Sequence, residues 1–303
     1  MKLSYTGSLL AALGRKRGPV TTALVYALGG RFYTRRLYSE QGRLAAACGM
    51  PGGYASFSFD IDYPEDVAGL EKIYGILEKL GIKASFAVVG RLVEDFPAEH
   101  RLLSRAGHEI INHTYSHPDN ELFHPHERFD ELTQEEQKGQ IERCHDVCRK
   151  VLGVAPRGFR APHFGNVTGR GFYKCLLELG YTFSSSVVSV DSPGLGLPFK
   201  TPEGVWEFPV SCCPEHPFAV LDTWNAFRSP RARHKKKGEF AALVAESAEM
   251  VKRCGGYLNL YMDPRDVVEY DEAADALITF EPHPGRPEII TYGRFLELLE
   301  RQA

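Results

Sequence analysis

From position 54 to the C-terminus, short apolar runs alternate with longer stretches in which apolar residues recur three and four positions apart. The short runs, at 55–59, 84–89, 109–112, 158–160, 182–187, 205–210 and 257–261, have the length and composition of strands. The longer stretches, at 64–80, 97–106, 133–152, 169–179 and 238–253, are predicted helices, and Thr133 with Glu136 forms a capping-box signature at the start of the third. Strand–helix alternation implies a mostly parallel sheet clad in helices, and seven such strands suit a closed α/β barrel better than a long open sheet. Before this rhythm, 22–28 and 37–47 set apolar positions between basic ones, interrupted at Gly29-Gly30, and Gly49-Met50-Pro51-Gly52-Gly53 marks a boundary. The expected organisation is a mainly helical basic extension over 1–53 and one barrel domain over 54–303.

Composition changes this picture little, since 303 residues with 43% hydrophobic and 25% charged side chains describe an ordinary globular chain and exclude disorder. Charge distribution changes it more. Residues 1–50 hold eight Lys and Arg against one acid, Glu40, a local charge of +7 that leaves −10 for the rest of a chain whose total is −3. Such asymmetry suggests an anionic partner for the extension, a membrane surface or a phosphate-bearing ligand. It fits equally a solvated helical face packed against an acidic domain. A nucleic-acid binder is disfavoured because the acidic main domain would repel phosphates.

The seven cysteines follow no regular spacing, and Cys144 and Cys148, one helical turn apart, lack the partners of a zinc-finger pattern and read as small buried side chains. An odd, unpatterned set points to a reducing compartment. In 3–13 the apolar residues are interrupted by Tyr5 to Ser8 and followed, not preceded, by Arg15-Lys16-Arg17, the wrong order for an export signal. The apolar run at 20–28 is well short of the roughly 20 residues that span a bilayer. The expected location is cytoplasmic, at the inner face of the membrane if the extension docks there.

Candidate chemistry gathers at predicted strand ends, where barrel enzymes place it. Ser56-Phe57-Ser58-Phe59-Asp60-Ile61-Asp62 ends in two carboxylates that share one side of an extended chain, unless they serve only to cap the helix beginning near Pro64. Asn112-His113-Thr114-Tyr115-Ser116-His117-Pro118 sets two imidazoles four apart, so that both rings project to one side of a turn. Asp62, His113 and His117 together would make a two-His, one-carboxylate metal site with open positions, leaving Asp60 free as general base. Arg160 and Asp263 also fall at or just beyond strand ends.

The acid pair, His-Thr-x-x-His-Pro and Phe159-Arg160-Ala161-Pro162-His163-Phe164-Gly165 occur in one order, and the set resembles the polysaccharide deacetylases of carbohydrate esterase family 4, the NodB-homology family. The resemblance runs from Tyr54 to the C-terminus. It implies a distorted (β/α)7 barrel that removes acetyl groups from N-acetylated sugars or glycans with zinc or a similar divalent ion. On that resemblance Asp60 is the base, Asp62, His113 and His117 hold the metal, Arg160 orients the base, and the His163 peptide N–H stabilises the oxyanion. Tyr115, Phe164 and Tyr261 are expected substrate walls, though aromatics are as often core.

Two departures stand out. Ile61 separates the two acids, which the family usually sets side by side, and the late Leu-x-His motif is replaced by Leu258-Asn259-Leu260-Tyr261-Met262-Asp263-Pro264. Met262 or Asp263 aligns with the missing histidine. Asp263 is the first choice for the acid that protonates the leaving amine, with His163 or His283 as substitutes and a simple helix N-cap as the plain alternative. Asp191, or more distantly Asp222-Thr223-Trp224, matches the family's acid-and-Trp motif. The sugar could be phosphorylated or lipid-linked, which would employ the basic extension. A deformylase or deacylase of another N-acyl sugar, or a degenerate barrel that only binds saccharide, are the alternatives.

Overall fold

The structure is a computed structural model that describes residues 2–15, 18–164, 170–230, 234 and 236–302. Lys16, Arg17, Gly165, Gly169 and most of the basic loop at 231–237 lie outside the described residues. The extension forms α1 (Tyr5–Arg15) and α2 (Pro19–Ala47), the latter kinked at Gly29. The strands are β1 (Tyr54–Ile61), β2 (Ser85–Val88), β3 (Glu109–Asn112), β4 (Gly158–Phe159), β5 (Phe183–Ser184), β6 (Phe199–Lys200), β7 (Trp206–Glu207), β8 (Tyr257–Met262) and β9 (Glu288–Ile289). Between and after them lie α3 (Pro64–Leu80), α4 (Gly90–Asp95), α5 (Pro97–Arg105), α6 (Gln134–Val147), α7 (Arg170–Glu178), α8 (Glu239–Cys254), α9 (Pro264–Glu269), α10 (Asp271–Ile278) and α11 (Tyr292–Gln302).

The sheet runs β6-β7-β5-β4-β3-β2-β1-β8, with β9 also against β1; every pairing is parallel except β6 with β7. All seven expected strands are present, and the helical shell and N-terminal helices match the expected distorted barrel. Closure is incomplete as a ladder. The gap between β7 and β8 is crossed by the chain after β7, through Ser211 N–H to Asn259 O (2.9 Å), Asn259 N–H to Ser211 Oγ (2.9 Å) and a bridge from Asp222 to Tyr261.

β1 is buried on both faces, and its period-two alternation nevertheless decides what goes where. Phe57, Phe59 and Ile61 join the core beneath the helices with Val67, Leu70, Ile73 and Leu77 of α3. Ser56 and Ser58 face the other way and hydrogen-bond Ile290 O and Leu260 O, beside an inner apolar cluster that includes Ala87, Ile111, Phe183 and Phe208. β8 repeats the logic: Leu258, Leu260 and Met262 enter the same apolar core, while Asn259 bonds inward to Phe208 O and Tyr292 Oη.

α2 lies against α8 so closely that a Cβ at Gly42 would stand 1.6 Å from Cys254 O, and against the loop after β7 so closely that one at Gly30 would stand 2.0 Å from Glu215 O. Only glycine permits such backbone contact. Gln41, 1% exposed, ties the extension to the barrel by donating to Leu195 O (2.7 Å) and accepting from Tyr257 N–H (3.1 Å). Arg31 pairs with Glu215 and Glu246, and Arg35 with Glu246, so part of the basic excess is neutralised by the barrel itself. No helix among the described residues is long and apolar enough to cross a membrane.

Candidate active site

Asp60 is the last inward-facing residue of β1, and Asp62 stands one position beyond the strand. Neither caps α3. That task falls to Asp66, whose Oδ2 accepts from the N–H groups of Asp62 (3.2 Å) and Tyr63 (3.0 Å). Asn120 Nδ2 donates to Asp62 O (2.8 Å), so the backbone beneath the carboxylate is pinned from both sides.

His113 and His117 are not on a helical turn, contrary to the expectation from their spacing. They sit at either end of an irregular loop after β3, in which Thr114 (φ 69°) and His117 (φ 47°) adopt left-handed backbone. Side chains replace the helical hydrogen bonds there: Asn112 Oδ1 accepts from Thr114 N–H (2.8 Å) and Thr114 Oγ1 from His117 N–H (3.0 Å). Such conformations cost about 1–3 kcal/mol each and persist where the surroundings enforce them, commonly at functional sites.

The loop brings the rings together, with centroids 4.8 Å apart at 68°. Asp62 Oδ1 lies 3.3 Å from His113 Nε2 and 3.7 Å from His117 Nε2, and the donor atoms of all three residues fall within 4.8 Å of one another. Two ligands about 2.0–2.1 Å from one tetrahedral ion would be about 3.3 Å apart, so the cluster has the dimensions of a metal site. His113 Nδ1 is 2.8 Å from Arg160 O, which fixes the tautomer and turns Nε2 toward the cluster. Asp62 Oδ1 is buried without a well-aligned hydrogen bond. Burial opposes ionisation of Asp62, but His117 and His113 overcome it and hold the carboxyl low; burial pushes His117 down to about 3, keeping it a neutral ligand. The donor set fits a divalent ion. His113→Ala should therefore weaken zinc binding more than about 100-fold, beyond the loss usual for second-shell changes, as read by competition with a chromophoric chelator. Unchanged affinity would remove His113 from the site.

Asp60 is paired behind this cluster. Arg160, fully buried, donates Nη1–H to Asp60 Oδ1 (2.5 Å), and three further N–H groups go to Ser185 O, Ser185 Oγ and Tyr292 Oη at 3.0, 2.9 and 2.7 Å. Asp60 Oδ2 is left facing His113 Nε2 at 4.0 Å. Burial raises the Asp60 pKa, against the pull of Arg160 and His113.

A cleft of about 420 Å³ opens over these groups, and Asp60, Asp62, His113, His117, His163 and Asp263 all line it. Phe164 and Tyr261 form one wall, 5.1 Å apart, with the Arg160 guanidinium 5.4 and 5.6 Å beneath their rings. His163 has left-handed backbone (φ 57°), and its ring packs against His117 at 4.9 Å. Tyr115 does not join them. It is buried, donates to Glu94 (2.7 Å) and lies under Arg143, so it braces the loop and is no substrate wall.

The late strand resolves the choice between Met262 and Asp263. Met262 packs into the apolar core, whereas Asp263 reaches the cleft, where one oxygen pairs with Arg228 and Oδ1 is buried without a hydrogen bond. Asp263 does occupy the N-cap position of α9, but its side chain bonds nothing in that helix. His283 lines a different cavity, beside the first residue of β1, and is too remote to act here. Asp191 lies in a short turn against α1, while Asp222 and Trp224 line the cleft, which favours the more distant counterpart of the acid-and-Trp motif. Burial raises Asp222 to about 7. Arg228, bridging Asp263 and Asp266 at the cleft, carried no sequence signal.

Residues 49–183 match the family model described as Polysaccharide deacetylase. A Peptidoglycan-N-acetylglucosamine deacetylase from Bacillus cereus is 28% identical over 121 residues, 40% of this chain and 41% of the relative. The chain spans less than half the length of the curated relatives it matches. Among solved structures, a candidate polysaccharide deacetylase from Mycobacterium smegmatis superposes with TM-score 0.60 at 22% identity, covering 75% of this chain and 82% of that one. A CE4-family pseudoenzyme from Bacillus anthracis superposes with TM-score 0.54 at 16% identity, covering 81% and 66%. At such identities these likenesses establish the fold.

Proposed function

Residues 49–183 match the polysaccharide deacetylase family model, and from that premise we propose that the chain is a metal-dependent hydrolase removing the N-acetyl group from a sugar of a glycan. The observation that carries the reading is the buried Asp60–Arg160 pair set directly beside Asp62, His113 and His117. A site built only to bind saccharide has no use for a carboxylate whose second oxygen is left free and whose first is fixed by a buried guanidinium.

A divalent ion held by Asp62, His113 and His117, zinc being the natural candidate, would polarise the acyl carbonyl and acidify water. Asp60 Oδ2 takes the proton of the attacking water, while Arg160 holds Oδ1 and keeps the carboxylate aimed. The His163 peptide N–H steadies the oxyanion, and Phe164 and Tyr261 offer faces for a sugar ring. Proton delivery to the amine falls to Asp263. One of its oxygens pairs with Arg228 and the other, Oδ1, is buried without a hydrogen bond. Asp263→His, which sets an imidazole at the inward-facing position, should raise kcat about 10-fold or more, and Asp263→Ala should lower it. If neither variant moves kcat, the donor lies elsewhere.

The decisive experiment measures acetate release from chitooligosaccharides, nucleotide sugars and lipid-linked N-acetyl sugars, using metal-stripped protein with and without zinc. Zinc-dependent release supports deacetylation and ranks the substrate classes. Tight zinc binding with no acetate from any of them would turn the reading toward another N-acyl group or toward binding alone.

The substrate is a glycan intermediate at the inner face of an anionic membrane, with the N-terminal helices as the contact. Five of the ten exposed large apolar side chains among the described residues, Tyr5, Leu9, Val20, Leu24 and Phe32, lie on α1 and α2. Exposed apolar side chains beside basic ones, as Phe32 and Arg36 are here, can enter the headgroup layer of a membrane. Vesicles containing phosphatidylglycerol should sediment the protein, and Val20→Ser with Leu24→Ser and Phe32→Ser should abolish it. Equal binding to neutral and anionic vesicles would sink the membrane reading.

A further inference from the structure

The polar groups of the cleft belong to the C-terminal ends of the strands. At the other end of the barrel lies a second, larger cavity of about 780 Å³. Its lining comes from Tyr54 at the start of β1, from 81–83 ahead of β2, from Gly107 ahead of β3, and from the segment 280–291 around β9. Five basic side chains border it, Lys83, Lys252, His283, Arg286 and Arg294, against a single acid, Glu288. In a domain whose net charge outside residues 1–50 is negative, this concentration is not expected from composition.

Ordinary surface pairing does not consume the charge. Lys83 is shared with Glu78 (2.9 Å) and Arg294 with Glu297, both at the rim, but among the described residues neither Lys252 nor Arg286 forms an ion pair. Arg286 Nη1 is buried and makes no hydrogen bond, an unfavourable condition that a bound ligand would relieve. Ile82, Phe280, Ile290 and Leu298 add apolar surface to the same lining. A planar guanidinium and an ammonium in one lining can together recognise a multiply charged oxyanion, the guanidinium by paired hydrogen bonds and the ammonium as a point charge. The volume exceeds what inorganic phosphate would fill.

We propose that this cavity is a second binding site, for a phosphate or pyrophosphate group carried on a sugar-sized body, separate from the catalytic cleft and independent of what the cleft does. The phosphate could belong to a free sugar phosphate or to a phosphodiester-linked glycan polymer.

Isothermal titration of the metal-stripped full-length chain distinguishes these, with inorganic pyrophosphate, N-acetylglucosamine 1-phosphate and polyglycerol phosphate as probes; stripping the metal prevents chelation from mimicking binding. Pyrophosphate should bind, and Arg286→Ala and Lys252→Ala should each weaken it about 10-fold or more, with zinc-supported acetate release from a neutral chitooligosaccharide unchanged in both. Alongside pyrophosphate, binding of the monoester but not the polymer identifies a free sugar phosphate, and binding of the polymer identifies a glycan chain; either supports the site when both variants lose it. No binding of pyrophosphate at millimolar concentration overturns the proposal. So does binding that survives in the Arg286→Ala, Lys252→Ala double variant, or that is lost on Arg228→Ala in the cleft.

Discussion

Asp60→Asn is expected to lower zinc-dependent acetate release by about 10²–10⁴-fold, the usual contribution of a positioned general base, while zinc affinity stays within a factor of a few. Asparagine keeps the shape of the side chain and can still accept from Arg160 Nη1 through Oδ1, so the geometry around the substitution should hold. What it cannot do is take the proton of the attacking water. Metal binding should survive because Asp62, His113 and His117 are untouched and Asp60 Oδ2 stands 4.0 Å from His113 Nε2. Measuring kcat beside a zinc titration separates the two effects. A variant retaining more than about half of the original rate would show that Asp60 is not the base.

Arg160→Ala should be the more damaging substitution for the fold, with a loss of about 3–5 kcal/mol, the usual cost of removing one partner from a buried ion pair. Arg160 is completely buried, and its removal strands the Asp60 carboxylate together with Ser185 Oγ and Tyr292 Oη, all of which it now serves. Taking about 2 °C per kcal/mol for a chain of this size, Tm should fall by roughly 6–10 °C. A double variant, Asp60→Asn with Arg160→Met, should recover part of that loss, because no unpaired charge is then left inside. If the double variant is less stable than Arg160→Ala, packing dominates and the charge pair contributes little.

The site was legible where its chemistry coincides with the ends of long or strongly apolar strands. Alternation in Ser56 to Asp62 announces both the buried strand and its inward acids, and the parallel strands that follow could be placed from their apolar runs alone. The His113–His117 pair was found for a reason that does not hold in the structure, since the spacing suggests a helical turn and the rings converge through two left-handed loop residues. Tyr115 was misplaced because an aromatic between two ligands looks like part of the site, when the loop turns it toward Glu94. β4, β5 and β7 are two residues each, too short to leave a periodic signal at their edges, although the broader runs containing them were visible. Residues 264–303 offered least: the short helices α9 and α10, the two-residue β9 and the helix α11 carry no recognisable chemistry, yet they supply Tyr292 to Arg160 and the rim of the second cavity. Arg228 and Tyr292 act through contacts at long sequence separation, which no local pattern encodes.

That contribution from Tyr292 has a consequence during synthesis. Arg160 obtains one of its hydrogen bonds, and Asn259 another, from a hydroxyl on α11, which itself is held at its start by Glu109 accepting from the N–H groups of Tyr292 (3.1 Å) and Gly293 (2.8 Å). A nascent chain with every other strand already emerged from the ribosome would still lack this hydroxyl. The barrel interior would hold a partly unsatisfied guanidinium, and the orientation of Asp60 would not yet be set. Orientation of Asp60 should consequently wait on the docking of α11, so that a folding intermediate without that helix lacks a fully held Arg160.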